Sequence, residues 1–148
     1  MNVKRILLFL TSFSLWLSSS VYSNDLVLIT SSESIQTSFT KYELRKIFLG
    51  FTIQKNGEII IPYRNQSTEK INNAFYQHIM FMSERNYNRR VLSLGFKKGN
   101  RNITTYEDNT LLLNSLRTNA NTISYIWKDD IPDTNEFKII QVIWRANE

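Results

Sequence analysis

The feature that most constrains this chain is a short unbroken apolar run, Leu26-Val27-Leu28-Ile29, bounded by polar residues. A strand with one solvated face alternates apolar and polar positions, so a run without alternation needs cover above and below. The following residues supply helices for that cover. Thr40-Lys41-Tyr42-Glu43 reads as a capping box for a helix through Leu44, Ile47 and Phe48, ended by Gly50. Asn56-Gly57 predicts a tight turn, and Ile59-Ile60-Ile61 a strand stopped by Pro62, with Tyr63-Arg64-Asn65-Gln66 as loop. Ser67 is expected to cap a second helix carrying Ile71, Ala74, Phe75, Ile79 and Met82, and Ser83 a third carrying Tyr87, Val91 and Leu94. Thr105-Tyr106-Glu107-Asp108 reads as the start of a fourth, with Leu112, Leu113 and Leu116 behind it. Ile123 to Trp127 and Phe137 to Trp144 read as closing strands. Strands interleaved with helices imply an α/β fold, a mixed, mostly parallel sheet flanked by helices.

Residues 1–23 read as a signal peptide. Lys4 and Arg5 precede the apolar stretch from Ile6 to Leu17, and Val21 and Ser23 supply a small-residue cleavage pattern. The apolar core of roughly a dozen residues falls short of the ~20 needed to span a bilayer. The expectation is a domain at 24–148, periplasmic or secreted, with no membrane span after the signal is removed. Losing Lys4 and Arg5 lowers the formal charge from +5 to +3, with the remaining cations scattered among Lys41, Arg45, Lys46, Arg89, Arg90, Lys97, Lys98 and Arg101. A nucleic-acid partner calls for a denser patch.

The chain holds no cysteine and a single histidine, His78, at the edge of the second helix's apolar face. This leaves transition-metal sites and nucleophilic catalysis without their usual residue sets. No enzyme activity, cofactor or metal is expected, and Asp129-Asp130 reads as a solvated turn. The stretch with chemical promise is Arg64-Asn65-Gln66-Ser67-Thr68. A helix start offers unpaired N–H groups, hydroxyls add donors, and an arginine can supply a charge-assisted fork for an oxyanion.

Taken in order, LVLIT at 26–30, ELRKIFLG at 43–50, NGEIIIPYRNQST at 56–68, NNAFYQHIM at 72–80 and NTISYIW at 121–127 resemble the small substrate-binding proteins of phosphate ABC transporters. The resemblance implies a single lobe of the type II periplasmic-binding-protein fold, with Arg64, Ser67 and Thr68 as anion-binding positions. With the export signal and the length of a single lobe, the expectation is a non-catalytic exported protein that binds phosphate or another small oxyanion weakly or has lost that ability. The family's Ser-Gly-Thr helix start is Gln66-Ser67-Thr68 here, and its Gly-x-Ile-Gly-Tyr strand entry is Asn121-Thr122-Ile123-Ser124-Tyr125. The alternative expectation is an envelope protein-interaction module on the same lobe, with Tyr63, Phe96, Tyr106 and Trp127 at the contact.

Overall fold

The structure, a computed structural model, describes residues 24–34, 37–96 and 100–146. The expected export segment, 1–23, lies outside the described residues, as do Lys97 and Lys98. No described helix is long and apolar enough to cross a membrane.

Strand β1 (Leu26–Ser31) is buried along its whole length. Leu26 and Leu28 enter one apolar cluster, while Val27 and Ile29 enter another on the opposite side. Helix α1 (Lys41–Phe48) begins with the expected capping box between Thr40 and Glu43. Lys55 meets the Glu43 carboxylate at 2.6 Å and, with the Thr40 amide, holds that carboxyl below the usual carboxylate range. The short pair β2 (Gln54–Lys55) and β3 (Glu58–Ile59) closes through Asn56 and Gly57, both at positive φ, as a tight hairpin requires.

Strand β4 (Ile61–Asn65) contains Pro62 instead of ending before it, and Tyr63 to Asn65 are strand instead of loop. The hydrogen-bond directions explain why the proline is tolerated. The Ile61 amide donates to the Asn121 carbonyl oxygen on one side, so the next residue's nitrogen faces the other side. Pairing with β5 (Thr104–Tyr106) there begins only at Tyr63, and no ladder bond is lost.

Helix α2 (Glu69–Ala74) is capped by Thr68, not Ser67: its hydroxyl accepts from the Ile71 amide at 3.2 Å. The helix continues as a π-helical segment, Phe75–Met80, stopped by Phe81 in a left-handed conformation, so Met82 falls beyond it. Ser83 caps α3 (Glu84–Gly95) as expected. Helix α4 (Asn109–Thr118) starts at Asp108, whose carboxylate accepts from the Leu111 amide at 2.9 Å, and Thr105 is in β5. Strands β6 (Thr122–Trp127) and β7 (Phe137–Trp144) complete the sheet.

The five-stranded order is β5-β4-β6-β1-β7, with β4 parallel to β5 and β6, and β1 antiparallel to both its neighbours. Four strands therefore point one way and β1 alone is reversed. Helices α1, α2 and α3 with the π-helical segment cover one face, and α4 covers the other with Leu112, Leu113 and Leu116. Asn121 enters β6 at φ 58, a left-handed backbone that asparagine tolerates better than most non-glycine residues. It stands where the resembling pattern has its first glycine.

Candidate functional site

Parallel strands that send their outgoing connections to opposite faces open a crevice at their carboxyl ends. Strand β4 leads into α2 on one face, and β5 leads into α4 on the other. The two connections are stitched together here. The Gln66 amide donates to the Tyr106 carbonyl oxygen at 2.7 Å, and the Asn65 side-chain amide donates to Asn109 Oδ1 at 3.0 Å.

The structure separates the three sequence-expected anion ligands. Ser67 is half-buried and Thr68 exposed at the start of α2. The Ser67 amide is taken by Asn65 Oδ1 at 3.0 Å, and the Thr68 hydroxyl is occupied as the helix cap. Arg64 turns inward beneath α2 and is only 8% exposed. Its Nη2 donates to Asn72 Oδ1 at 2.9 Å and to the Tyr76 hydroxyl oxygen. Its guanidinium carbon lies 4.9 Å from the Phe75 ring centroid, 5.2 Å from Tyr76 and 4.9 Å from Tyr87.

This cage balances the cation with ring quadrupoles and neutral oxygens. Among the described residues no carboxylate comes within ion-pairing distance of Arg64, and its Nε is buried without a hydrogen-bond partner. Burial raises the tyrosine hydroxyls around it, Tyr76, Tyr87 and Tyr125, above their ordinary range; the Arg64 charge opposes the rise. Glu84, acting on the Tyr76 hydroxyl, pushes it further upward. Two hydroxyls are committed elsewhere. Tyr87 donates to the Phe48 carbonyl oxygen at 2.8 Å and Tyr125 to that of Asn65 at 2.9 Å.

Asn72 and Tyr76, the acceptors for Arg64, are not among the residues expected from the sequence. Their i, i+4 spacing puts them on one face of a helix, and Arg64 lies just ahead of it; that spacing was the available signal. His78 is half-buried and stacks on Trp144 with ring centroids 4.8 Å apart. Burial lowers its tendency to take a proton. Asp129 and Asp130 occupy an exposed single turn of 3-10 helix, Lys128–Asp130. Among the described residues, no group of three or more His, Cys, Asp or Glu is placed to hold a metal ion.

The contact surface expected from Tyr63, Phe96, Tyr106 and Trp127 does not form. Tyr63 is buried and meets Tyr106 edge-on at 5.1 Å on the α4 side of the sheet, and Trp127 is buried on the other side. Phe96 alone of the four is well exposed. No protein-family model matches the chain, and neither a curated protein nor a solved structure matches it at a significant level.

Proposed function

We propose that this chain is an exported, non-catalytic binding domain built as one lobe of the periplasmic-binding-protein type, and that it takes phosphate or a similar small oxyanion weakly. The observation that carries the reading is Arg64, a buried cation with no acidic partner among the described residues. Removing a charge from water is costly unless an opposite charge or several good hydrogen bonds replace the lost solvation. Asn72, Tyr76 and the rings replace part of it. An oxyanion reaching the remaining guanidinium nitrogens would supply the rest. The backbone of Arg64 lies in the last part of a parallel strand ahead of a helix, beside the crevice, and its guanidinium is turned beneath α2.

Calorimetric titration of the purified protein with phosphate, with sulfate as comparator, tests this reading. The expected result is a saturable heat in the millimolar range that disappears in Arg64→Met and persists in Ser67→Ala. Phosphate at about 100 times the dissociation constant should also raise unfolding stability by about 2.7 kcal/mol. The absence of heat from folded protein at millimolar phosphate would remove the oxyanion from the reading.

A further inference from the structure

Cations that are far apart in the sequence meet on one surface. Arg45 and Lys46 occupy the last turn of α1, while Arg89 and Arg90 lie on α3. The two helices both pack on the π-helical segment and face each other across a groove. One hollow in it, about 360 Å³, has Leu49 and Leu94 among its lining with Arg45, Lys46 and Arg90. An adjoining hollow of about 520 Å³ shares Arg45 and Arg90 and adds Arg89.

Neither hollow is lined by an acidic residue, and none of the four cations pairs with a carboxylate among the described residues. Glu84, at the start of α3, lines a separate neighbouring hollow. Large rings stand exposed around the groove: Tyr42 at 65%, Phe81 at 50% and Phe51 at 40%. Phe81 is held there in a left-handed backbone, a strained state for a bulky residue. The surface thus combines cations that have no carboxylate partner among the described residues with exposed rings, Lys46 lying over Tyr42 at 4.6 Å and Lys41 over Phe81 at 5.4 Å.

That combination selects among occupants. Ion pairs formed by exposed arginines are individually weak and screened by salt, so a single small oxyanion gains little here. A bilayer surface is flat on this scale and does not enter hollows between two helices. A chain carrying several carboxylates in succession pairs with all four cations at once and covers apolar surface as it does so. We infer that the α1–α3 groove is the docking site for an acidic segment of a partner protein. Its carboxylates lie against Arg45, Lys46, Arg89 and Arg90, and an apolar side chain sits over Leu49 and Leu94. This site is independent of the oxyanion reading, since Arg64 lines neither hollow.

The test is fluorescence anisotropy with a labelled Glu-rich peptide carrying one central Leu and one Phe, alongside a twin with every Glu replaced by Gln. The purified protein should bind the Glu peptide at low salt. Affinity should fall at least about tenfold with the Gln twin and with Arg45→Gln/Arg90→Gln, the two positions shared by both hollows. It should fall as salt is raised, and hold in Lys128→Gln, which removes a cation outside the groove. Circular dichroism checks the fold of the double variant. If that variant does not fold, exposed Arg90→Gln alone should still weaken binding measurably. Equal binding of both peptides, or undiminished binding by a folded groove variant, overturns the assignment. Capture by phosphatidylglycerol vesicles without binding of the Glu peptide overturns it in favour of a lipid surface.

Discussion

The Tyr87 hydroxyl donates a hydrogen bond to the Phe48 carbonyl oxygen at 2.8 Å, fastening α3 to the C-terminal end of α1. Burial raises the Tyr87 hydroxyl above its ordinary range and keeps it protonated, so it remains a donor across physiological pH. The same ring forms one wall of the Arg64 cage and meets Phe75 edge-on at 5.3 Å. One side chain therefore braces both the buried cation and the helix pair that bears the basic groove.

Replacing that tyrosine by phenylalanine keeps the ring contacts but leaves a buried carbonyl without its partner. Tyr87→Phe should lower stability by about 1–3 kcal/mol. Urea denaturation provides the measurement, and an unchanged midpoint would mean that another donor satisfies the Phe48 carbonyl.

Arg64 should not be replaceable by lysine. A guanidinium can stack on Phe75 and Tyr87 while its fork reaches Asn72 and Tyr76, whereas an ammonium has neither the plane nor the fork. Arg64→Lys should cost about 1–3 kcal/mol in denaturant unfolding without any ligand present. Wild-type stability in that variant would show that charge alone matters at this position.

Two glycines at positive φ should respond differently to alanine. A Cβ on Gly50, at φ +90, would stand 2.5 Å from the Arg101 carbonyl oxygen and 2.7 Å from the Asn100 side-chain amide. At Gly57, φ +84, nothing lies within 4 Å. Gly57→Ala should cost only the left-handed penalty, about 1–2 kcal/mol. Gly50→Ala adds a backbone collision and should exceed about 3 kcal/mol. Thermal melts of the two variants side by side would expose an equal loss, which would contradict the close approach.

His78 gives the fold a pH dependence of definite sign. Burial beside Trp144 places its folded-state pKa below the ordinary 6.5, so the unfolded chain binds the proton more readily. Its contribution to stability is complete above about pH 6.5 and is lost as the pH falls through the folded-state value. Because the chain has one histidine, a single imidazole resonance followed by NMR reports this pKa directly. His78→Gln should flatten that part of the stability profile; a resonance titrating at 6.5 would remove the dependence, and one titrating above 6.5 would reverse its sign.

Much of the architecture was readable along the chain because its determinants are local. The Thr40 and Ser83 caps, the Asn56-Gly57 turn and the helix end at Gly50 depend on residues within a few positions of one another. The unbroken run at Leu26 to Ile29 announced a doubly covered strand. Pro62 misled because its tolerance depends on where β5 begins, some forty residues later in the chain. Ser67 and Thr68 are both competent caps by residue type; the Thr68 hydroxyl takes the Ile71 amide, and the Ser67 amide is held by Asn65 Oδ1 in the turn ahead of it. The π-helical segment has no comparable local cue.

At the candidate site, connectivity alone places an arginine, two hydroxyl residues and a helix start in succession. Composition likewise gives more cations than acids. The direction in which each charge faces follows from packing. Packing α2 and the π-helical segment on the sheet turns Arg64 into an aromatic cage and leaves Thr68 at the surface. Packing α1 and α3 around that same segment brings Arg45 and Lys46 opposite Arg89 and Arg90. Linear spacing specifies a residue's face on its own helix, but the neighbour across that face is set by burying apolar area between elements distant in the chain.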